Sequence, residues 1–171
     1  PEFHARLWDD ILEKGEDLGI RPFGSRAMRS MSLEKGFGSW ATEYRPIYGP
    51  FAAGMGRFVG LNKGEFIGRE SAVLEKAQGP EKSLVTFTVD VADCDVMGNE
   101  PIYQNDKIVG YVTSGMYAHF VDQSVALGYV PDGLANNTGS GAFDIEILGN
   151  MRPATIAPQA LFDPDASRMR G

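Results

Sequence analysis

Apolar residues near the start of the chain recur at helical spacing. Phe3, Leu7 and Ile11 are four residues apart and Trp8 lies beside them, which predicts an amphipathic helix over residues 3–14. No capping residue or strand precedes this helix in the sequence. We therefore expect either a protein with a short amino-terminal head or a truncated piece of a longer protein.

A second helix is predicted to begin near Ser25, which is a suitable N-cap residue. Ala27, Met28 and Met31 can share one buried stripe of this helix, and Gly36 stands where a left-handed C-terminal cap is expected. In this arrangement Arg26 lies in the first turn.

The next part of the chain predicts a strand over residues 54–61 and a third helix over residues 68–77. The dipeptide Gly79-Pro80 stops that helix. We place the domain boundary there, with one domain over residues 1–79 and a second over residues 80–171.

After this boundary the hydrophobic period changes from helical spacing to alternation. Apolar and polar residues alternate over residues 85–91, as in a strand with one buried face. Further strands are predicted over residues 100–103, 107–113, 124–130, 142–148 and 152–157.

Turn residues separate these predicted strands without intervening helices. Gln104-Asn105-Asp106 supplies one tight turn, and Gly149-Asn150 supplies a two-residue hairpin loop. Six short strands of this kind indicate a small antiparallel β-barrel. The fold class predicted for the whole chain is therefore α+β, with helices and short strands followed by a six-stranded antiparallel barrel.

Composition and charge restrict the function classes. The chain has 171 residues, 43% of them hydrophobic, and a formal net charge of −7. This charge disfavours a nucleic-acid partner, and the sequence contains no apolar run of membrane-spanning length. Cys94, the single cysteine, cannot form an internal disulfide. We expect a cytoplasmic protein without a nucleic-acid or membrane partner.

Residues 21–70 carry the candidate binding chemistry, because they are rich in glycine, aromatic residues and arginine. The guanidinium of Arg26 could bind a carboxylate or a carbonyl-bearing ring. A structural alternative is that Arg26 or Arg29 pairs with Glu34 or another surface acid. His4 and His119 have no ligand-spaced partners, so no metal site is expected.

Four segments also carry a family resemblance: GSRAMRSMSLEKGFGSW, AGMGRFVGLNKGEFIGRE, VGYVTSGMYAHFVDQSVALGYVP and LFDPDASRMRG. In order and spacing they resemble the carboxyl-terminal part of the glycine-cleavage T-protein (aminomethyltransferase) family. They are most similar to the branch fused behind flavin modules in dimethylglycine and sarcosine dehydrogenases. The resemblance implies part of a folate-binding domain followed by a barrel.

The family transfers a one-carbon unit from an aminomethyl donor to tetrahydrofolate. Its catalytic aspartate and pteridine-binding glutamate lie upstream of this chain, so the resemblance implies no catalytic residue here. It implies folate or substrate binding by Arg26, which matches an arginine of the dehydrogenase-fused branch. Arg57 stands where related dehydrogenases place an aromatic residue that touches folate. Its guanidinium could stack on a ring or meet an anionic tail, and a plain surface charge is an equal alternative.

The resemblance further implies that FAD belongs only to an amino-terminal module outside this sequence. That amino-terminal part, a folate and an amino-acid-derived substrate are then the expected partners, and the isolated chain is expected to be inactive. Three alternatives stay open at this stage. They are a non-catalytic barrel that binds a partner subunit, a demethylase of the same superfamily, and a tRNA-modifying folate protein, which the acidic charge disfavours.

Overall fold

The structure is a computed structural model that describes residues 2–170. Its α-helices are α1 (His4–Gly15), α2 (Ser25–Glu34), α3 (Arg69–Gln78) and α4 (Ser167–Arg170). Its strands are β1 (Lys82–Val89), β2 (Pro101–Gln104), β3 (Lys107–Ala118), β4 (Gln123–Pro131), β5 (Phe143–Ile147) and β6 (Asn150–Ile156). Within residues 2–170, no helix has the length and apolar character needed to cross a membrane.

The six strands form a closed antiparallel barrel in the order β1-β4-β3-β2-β5-β6. Closure comes from β1, which pairs with β4 along its whole length and with β6 at its end, where Phe87 faces Ile156. The predicted α+β fold with a six-stranded barrel is thus confirmed. The division of the chain at residue 79 stays a prediction.

The barrel interior is filled by apolar side chains because alternate residues of each strand point inward. The rings of Phe87 and Phe143 meet edge to face with centroids 5.4 Å apart, and both are fully buried. Around them lie other buried side chains, among them Val96, Ile102, Val112, Ile145 and Ala154.

Both predicted hairpin turns are present, one of them shifted by a residue. Asn105 and Asp106 have positive φ angles of 51° and 61° between β2 and β3. The loop between β5 and β6 is Leu148-Gly149, with φ angles of 50° and 80°, and not Gly149-Asn150. Two consecutive left-handed residues fit a type I′ turn, whose twist matches that of the flanking strands.

The predicted strand over residues 54–61 is wrong. The structure has a short 3-10 helix there, Gly56–Phe58, preceded by turns. The local amides bond to nearby carbonyls, Met55 to Pro50 at 2.7 Å and Phe58 to Met55 at 2.9 Å. Gly54 adopts φ +70°. With its hydrogen bonds closed locally, this segment has no need of a partner strand.

The region before the barrel keeps many apolar side chains exposed. The predicted helix near the start is confirmed as α1, but Phe3, Leu7, Trp8 and Ile11 are each about half exposed or more. Trp40 is 83% exposed in the loop that follows α2. Unlike the barrel, this region does not cover its own apolar faces.

Candidate functional site

Helix α2 packs on the hairpin of β3 and β4 through polar side chains. The Ser30 hydroxyl donates to the carbonyl of Tyr117 at 2.9 Å. Glu34 Oε1 accepts hydrogen bonds from the amides of Phe120 at 2.6 Å and Val121 at 3.4 Å. Ser30, Glu34 and Leu33 are the buried residues of the helix, so it is fixed firmly against the barrel.

This arrangement corrects the predicted orientation of α2. Ala27, Met28 and Met31 were expected in a buried stripe, but all three are exposed. The N-cap residue is Gly24, with Ser25 already inside the helix. The helix rotates its polar residues inward because Ser30 and Glu34 satisfy backbone groups at the end of the hairpin, which apolar side chains could not do.

The two predicted binding residues lie in different surroundings. Arg26 is exposed in the first turn of α2, one helical turn before the buried Ser30. Arg57 is exposed in the 3-10 helix, with its guanidinium carbon 4.7 Å from the centre of the Phe58 ring. Glu34, the suggested partner of Arg26 or Arg29, instead binds the hairpin amides.

Arg57 lines a cavity of about 690 Å³, which we call the Arg57 cavity. Its walls include the aromatic rings of Phe37, Tyr44 and Phe58. The other charged residues that line it are Lys35, Asp165 and Arg170. Within residues 2–170, Arg26 is not among the residues that line it. The cavity therefore combines flat apolar surface with positive charge, and Arg57 is the predicted residue that belongs to it.

The carboxyl-terminal segment is held beside this cavity by a buried ion pair. Lys35 Nζ lies 3.0 Å from Asp163 Oδ2, and the two side chains are only 11% and 2% exposed. Burial raises the pKa of Asp163, but hydrogen bonds from the Arg168 amide, Lys35 and Ser167 outweigh it and hold the pKa below its usual range. The ion pair thus fixes the chain segment that brings Arg170 to the cavity.

Three tyrosines connect the loop after α2 to the barrel. The Tyr48 ring stacks on the Tyr129 ring at 3.6 Å between centroids, and its hydroxyl shares a hydrogen bond with that of Tyr111. The Tyr129 hydroxyl donates to the carbonyl of Glu43 at 2.8 Å. Burial, followed by the bond to Tyr111, raises the pKa of Tyr48 to about 12. Burial likewise raises the pKa of Tyr129, so Tyr48 and Tyr129 stay protonated at neutral pH.

Glu43 is the most buried acid near α2, with 1% of its surface exposed. Its Oε2 accepts a hydrogen bond from the Ser39 amide at 2.8 Å and a short one from the Thr42 hydroxyl. Its Oε1 has no hydrogen-bond partner among residues 2–170. Burial raises the pKa of Glu43, but the nearby hydroxyl groups of Ser114, Thr113 and Thr42 and the Ser39 amide outweigh this effect and hold the pKa below its usual range.

Arg29 joins the same group of residues from the other side. Its Nη2 donates to the Ser114 hydroxyl at 3.3 Å, and Ser114 lies 3.2 Å from the Thr42 hydroxyl. Three elements therefore meet here, α2, the loop after it and strand β3. Over residues 2–170, no group of three or more His, Cys, Asp or Glu residues is placed to hold a metal ion.

Sequence and structure comparisons assign the family. The profile of the glycine cleavage T-protein C-terminal barrel domain matches residues 82–163, and the profile of the GCVT N-terminal domain matches residues 1–63. The chain belongs to the glycine cleavage T-protein family. Dimethylglycine dehydrogenase, mitochondrial, of Homo sapiens is 38% identical to it, over 99% of this chain and 20% of that protein.

Two further T-protein relatives agree with this assignment. The aminomethyltransferase of Desulfitobacterium hafniense strain DSM 10664 / DCB-2 is 30% identical over 95% of this chain and 44% of that protein. The crystal structure of glycine cleavage system aminomethyltransferase T from Bartonella henselae superposes with a TM-score of 0.81. That superposition covers 94% of this chain and 44% of the other at 21% identity, and it shows the shared fold. The chain spans less than half the length of each of these relatives.

Sequence reasoning missed Glu34 and Glu43. Both are charged residues in polar surroundings of the sequence, which normally indicates a solvent-exposed position. Glu43 is buried against backbone and hydroxyl donors that lie close to it in the sequence. Glu34 is buried against amides of the β3–β4 hairpin, which is distant in the sequence. In the sequence, only the short spacing of Ser39, Thr42 and Glu43 could have indicated the hydrogen bonds of Glu43. Such spacing is typical of many turns.

Proposed function

We propose that this chain is the carboxyl-terminal part of a larger enzyme that passes a one-carbon unit to tetrahydrofolate. The parent enzyme oxidises an N-methyl amino acid at a flavin held by an amino-terminal module. In this proposal the chain contributes one wall of the folate site and carries no catalytic residue.

The observation that carries the proposal is the composition of the Arg57 cavity. A folate has flat aromatic rings and a glutamate tail with carboxylates, so it needs stacking surfaces together with cations. The cavity offers the rings of Phe37, Tyr44 and Phe58 with the guanidinium groups of Arg57 and Arg170. Among residues 2–170 neither arginine has a carboxylate partner, and both remain available for an anion.

Arg26 is proposed as a second residue that contacts the folate, from outside the Arg57 cavity. It is exposed in the first turn of a helix that the barrel holds rigidly. A fixed helix can direct a guanidinium toward a ligand held partly by another chain segment. We infer that the segment is the amino-terminal part of the parent, since the human and bacterial relatives are longer than this chain.

The test measures folate affinity of the full-length parent by isothermal titration with 5-formyltetrahydrofolate, a stable folate. Replacement of Arg26 or Arg57 by alanine is expected to weaken binding by about 1–3 kcal/mol, because each loses a charge-assisted contact. Arg6→Ala is the matched control, since Arg6 is an exposed arginine of α1 that approaches Asp10. An unchanged dissociation constant in both variants would remove these residues from the site.

Fragment status is tested by the mass of the native gene product, detected in its own cells with an antibody against this chain. A band far above 18.6 kDa supports the tail of a multidomain enzyme. A band near 18.6 kDa contradicts it and favours a non-catalytic barrel that binds a partner through its exposed apolar residues. Stoichiometric flavin in the purified chain would contradict the assignment of FAD to an absent module.

The proposed compartment is the cytoplasm. The human relative carries the word mitochondrial in its name, and this supplies the alternative. Imaging a fluorescent fusion of the parent protein in its own cells distinguishes the two.

A further inference from the structure

One wall of the Arg57 cavity is formed by residues 160–170, which we call the terminal segment. The residues of this segment that line the cavity are Ala160, Pro164, Asp165, Ala166 and Arg170. The side chains of Asp165 and Arg170 are exposed, so the segment brings one anion and one cation to the cavity.

The first residues of the terminal segment are attached to α2 and to the β3–β4 hairpin. Leu161 packs against the buried apolar cluster that contains Leu33. The rings of Phe162 and Phe120 meet edge to face with centroids 4.7 Å apart. The Phe162 amide also donates to the carbonyl of Glu34 at 2.9 Å. Up to residue 162 the segment is therefore held by apolar packing and a backbone hydrogen bond.

Beyond residue 162 the attachment runs through Asp163. Within residues 2–170, the hydrogen bonds that residues 164–168 make to earlier parts of the chain all end on this residue. Its Oδ1 accepts from the Ser167 hydroxyl at 3.0 Å and from the Arg168 amide at 3.1 Å, and its carbonyl accepts from the Ala166 amide at 2.9 Å. Lys35 Nζ in turn donates to the carbonyl and to Oδ2 of Asp163. Lys35 therefore holds the residue on which the end of the chain is fastened.

The backbone of the terminal segment does not favour this shape by itself. Asp163 and Ala166 have positive φ angles of 45° and 54°, and for alanine this conformation is uncommon. The Asp163 side chain is only 2% exposed, and without the Lys35 ammonium it would be a buried charge with no cationic partner. Loss of that ammonium would favour movement of the carboxylate into water. The closed position of residues 164–170 therefore depends on Lys35.

We propose that Lys35 is a positioning residue that holds the terminal segment closed against the Arg57 cavity through Asp163. Lys35 is the C-cap residue of α2, which is fixed against the barrel, so the segment is fastened to a rigid element. Without this fastening, Asp165 and Arg170 leave the cavity. The effect on folate affinity rests on the proposed function, whereas the closure of the segment does not.

Closure is tested by NMR relaxation of the isotope-labelled 171-residue chain. Lys35→Met keeps the apolar stem of the side chain and removes its charge. It is expected to lower the backbone order parameters of residues 164–170 from about 0.85 to below about 0.6, with strands β1 and β4 unchanged. Lys35→Arg keeps the charge and should retain most of the order. The matched control is Lys76→Met, which removes an exposed lysine from the last turn of α3 and should change nothing in the segment.

A second variant guards against misfolding of Lys35→Met. Asp163→Asn keeps the shape of the side chain and removes its charge, and Lys35 is close enough to the surface, at 11% exposed, to reach water. The same loss of order at residues 164–170 is expected.

The link to ligand affinity is tested in the full-length parent with 5-formyltetrahydrofolate. Lys35→Met and Arg170→Ala are each expected to raise the dissociation constant by about 5- to 10-fold. The double variant should bind less than about 2-fold more weakly than the weaker single variant, because Arg170 no longer reaches the cavity once the segment is released. Two residues that act independently would instead multiply their losses.

Three results would overturn the proposal: unchanged order parameters at residues 164–170 in both charge-removing variants, loss of order in β1 and β4 in both, or multiplied losses in the double variant. If the unmodified parent does not bind folate, the proposed function is wrong, and so is any effect of Lys35 on folate affinity. The order parameters then decide the closure by themselves, since they are measured without folate.

Discussion

The barrel and the region before it differ in how much of their apolar surface is buried. In the barrel, Phe87, Ile102, Phe143 and Ile145 have no exposed surface, because six strands close around them. In residues 2–80, Trp40 is 83% exposed and the apolar face of α1 is open. One region buries its apolar side chains within itself, and the other leaves many of them exposed.

The difference shows where the stability of this chain resides. Tight interior packing gives the barrel its stability, since each buried apolar side chain contributes roughly 1.5–3 kcal/mol. The region before it is attached to the barrel by the buried Leu33 of α2, which packs in a small apolar cluster with side chains of β3 and β4. Polar contacts add to this attachment, such as the Glu34 contacts with the hairpin amides and the Tyr129 bond to the Glu43 carbonyl. It can therefore present binding residues without contributing to the main core.

The largest expected effect tests the packing of the barrel. Phe87→Ala removes a fully buried ring that packs on Phe143, and it should lower the free energy of unfolding by about 3–5 kcal/mol. Trp8→Ala in α1 is the matched aromatic substitution at a half-exposed position, with an expected change within about 0.5 kcal/mol. Urea unfolding followed by circular dichroism measures both. Equal losses of unfolding free energy in the two variants would contradict the difference between the barrel and α1, because they would mean that α1 is covered in solution.

An intermediate effect tests the junction between the two regions. Glu43→Gln should cost about 1.5–3 kcal/mol at neutral pH, because it weakens hydrogen bonds to a buried carboxylate. The pKa of Glu43 is lower in the folded protein than its usual value near 4.3, so folding favours the ionised form. Its contribution is fully present above that usual value and is lost as the pH falls through the lowered pKa.

The pH dependence supplies the control for this second prediction. The stability difference between the unmodified chain and Glu43→Gln should be constant above about pH 5 and shrink below about pH 4. Thermal unfolding across this range measures it. A difference that stays constant at acid pH would show that the cost arises from packing and not from charge.

The smallest effect is a predicted gain in the barrel. Leu148 is 86% exposed and holds a left-handed φ of 50°, a conformation that asparagine tolerates better than leucine. Leu148→Asn should therefore raise the free energy of unfolding by about 1 kcal/mol. Leu148→Ala keeps a Cβ atom in the same backbone conformation and should gain much less. A loss of stability in the asparagine variant would contradict this account of the turn.

The barrel was predictable because its sequence obeys strand periodicity. The alternation over residues 85–91 and the turn at Asn105-Asp106 locate β1 and the β2–β3 hairpin to within a few residues. Strand β3 extends to Ala118, beyond its predicted end at residue 113. A register shift between Val112 and Ser114 interrupts the alternation there, and a regular period cannot anticipate it.

The region before the barrel was less predictable, for reasons visible in particular residues. The buried face of α2 is partly polar, so hydrophobic spacing selected Met28 and Met31 in place of Ser30 and Glu34. Residues 54–61 were predicted as a strand, yet local turns satisfy several of their amides. Arg57 was selected from the sequence and lines a cavity, but its role in binding stays a prediction. The burial of Glu43 depends on the Ser39 amide and the Thr42 hydroxyl, which hydrophobic spacing does not reveal.

Closure of the barrel also determines how this protein can associate with others. β1 bonds to both β4 and β6, and residues 97–100 bond to β3 beyond the reach of β2. In the part of the chain that the structure describes, the sheet therefore has no free edge on which a foreign strand could extend it. Amyloid growth and peptide capture by strand addition both start from such an edge. Neither process therefore has a starting point on this closed sheet.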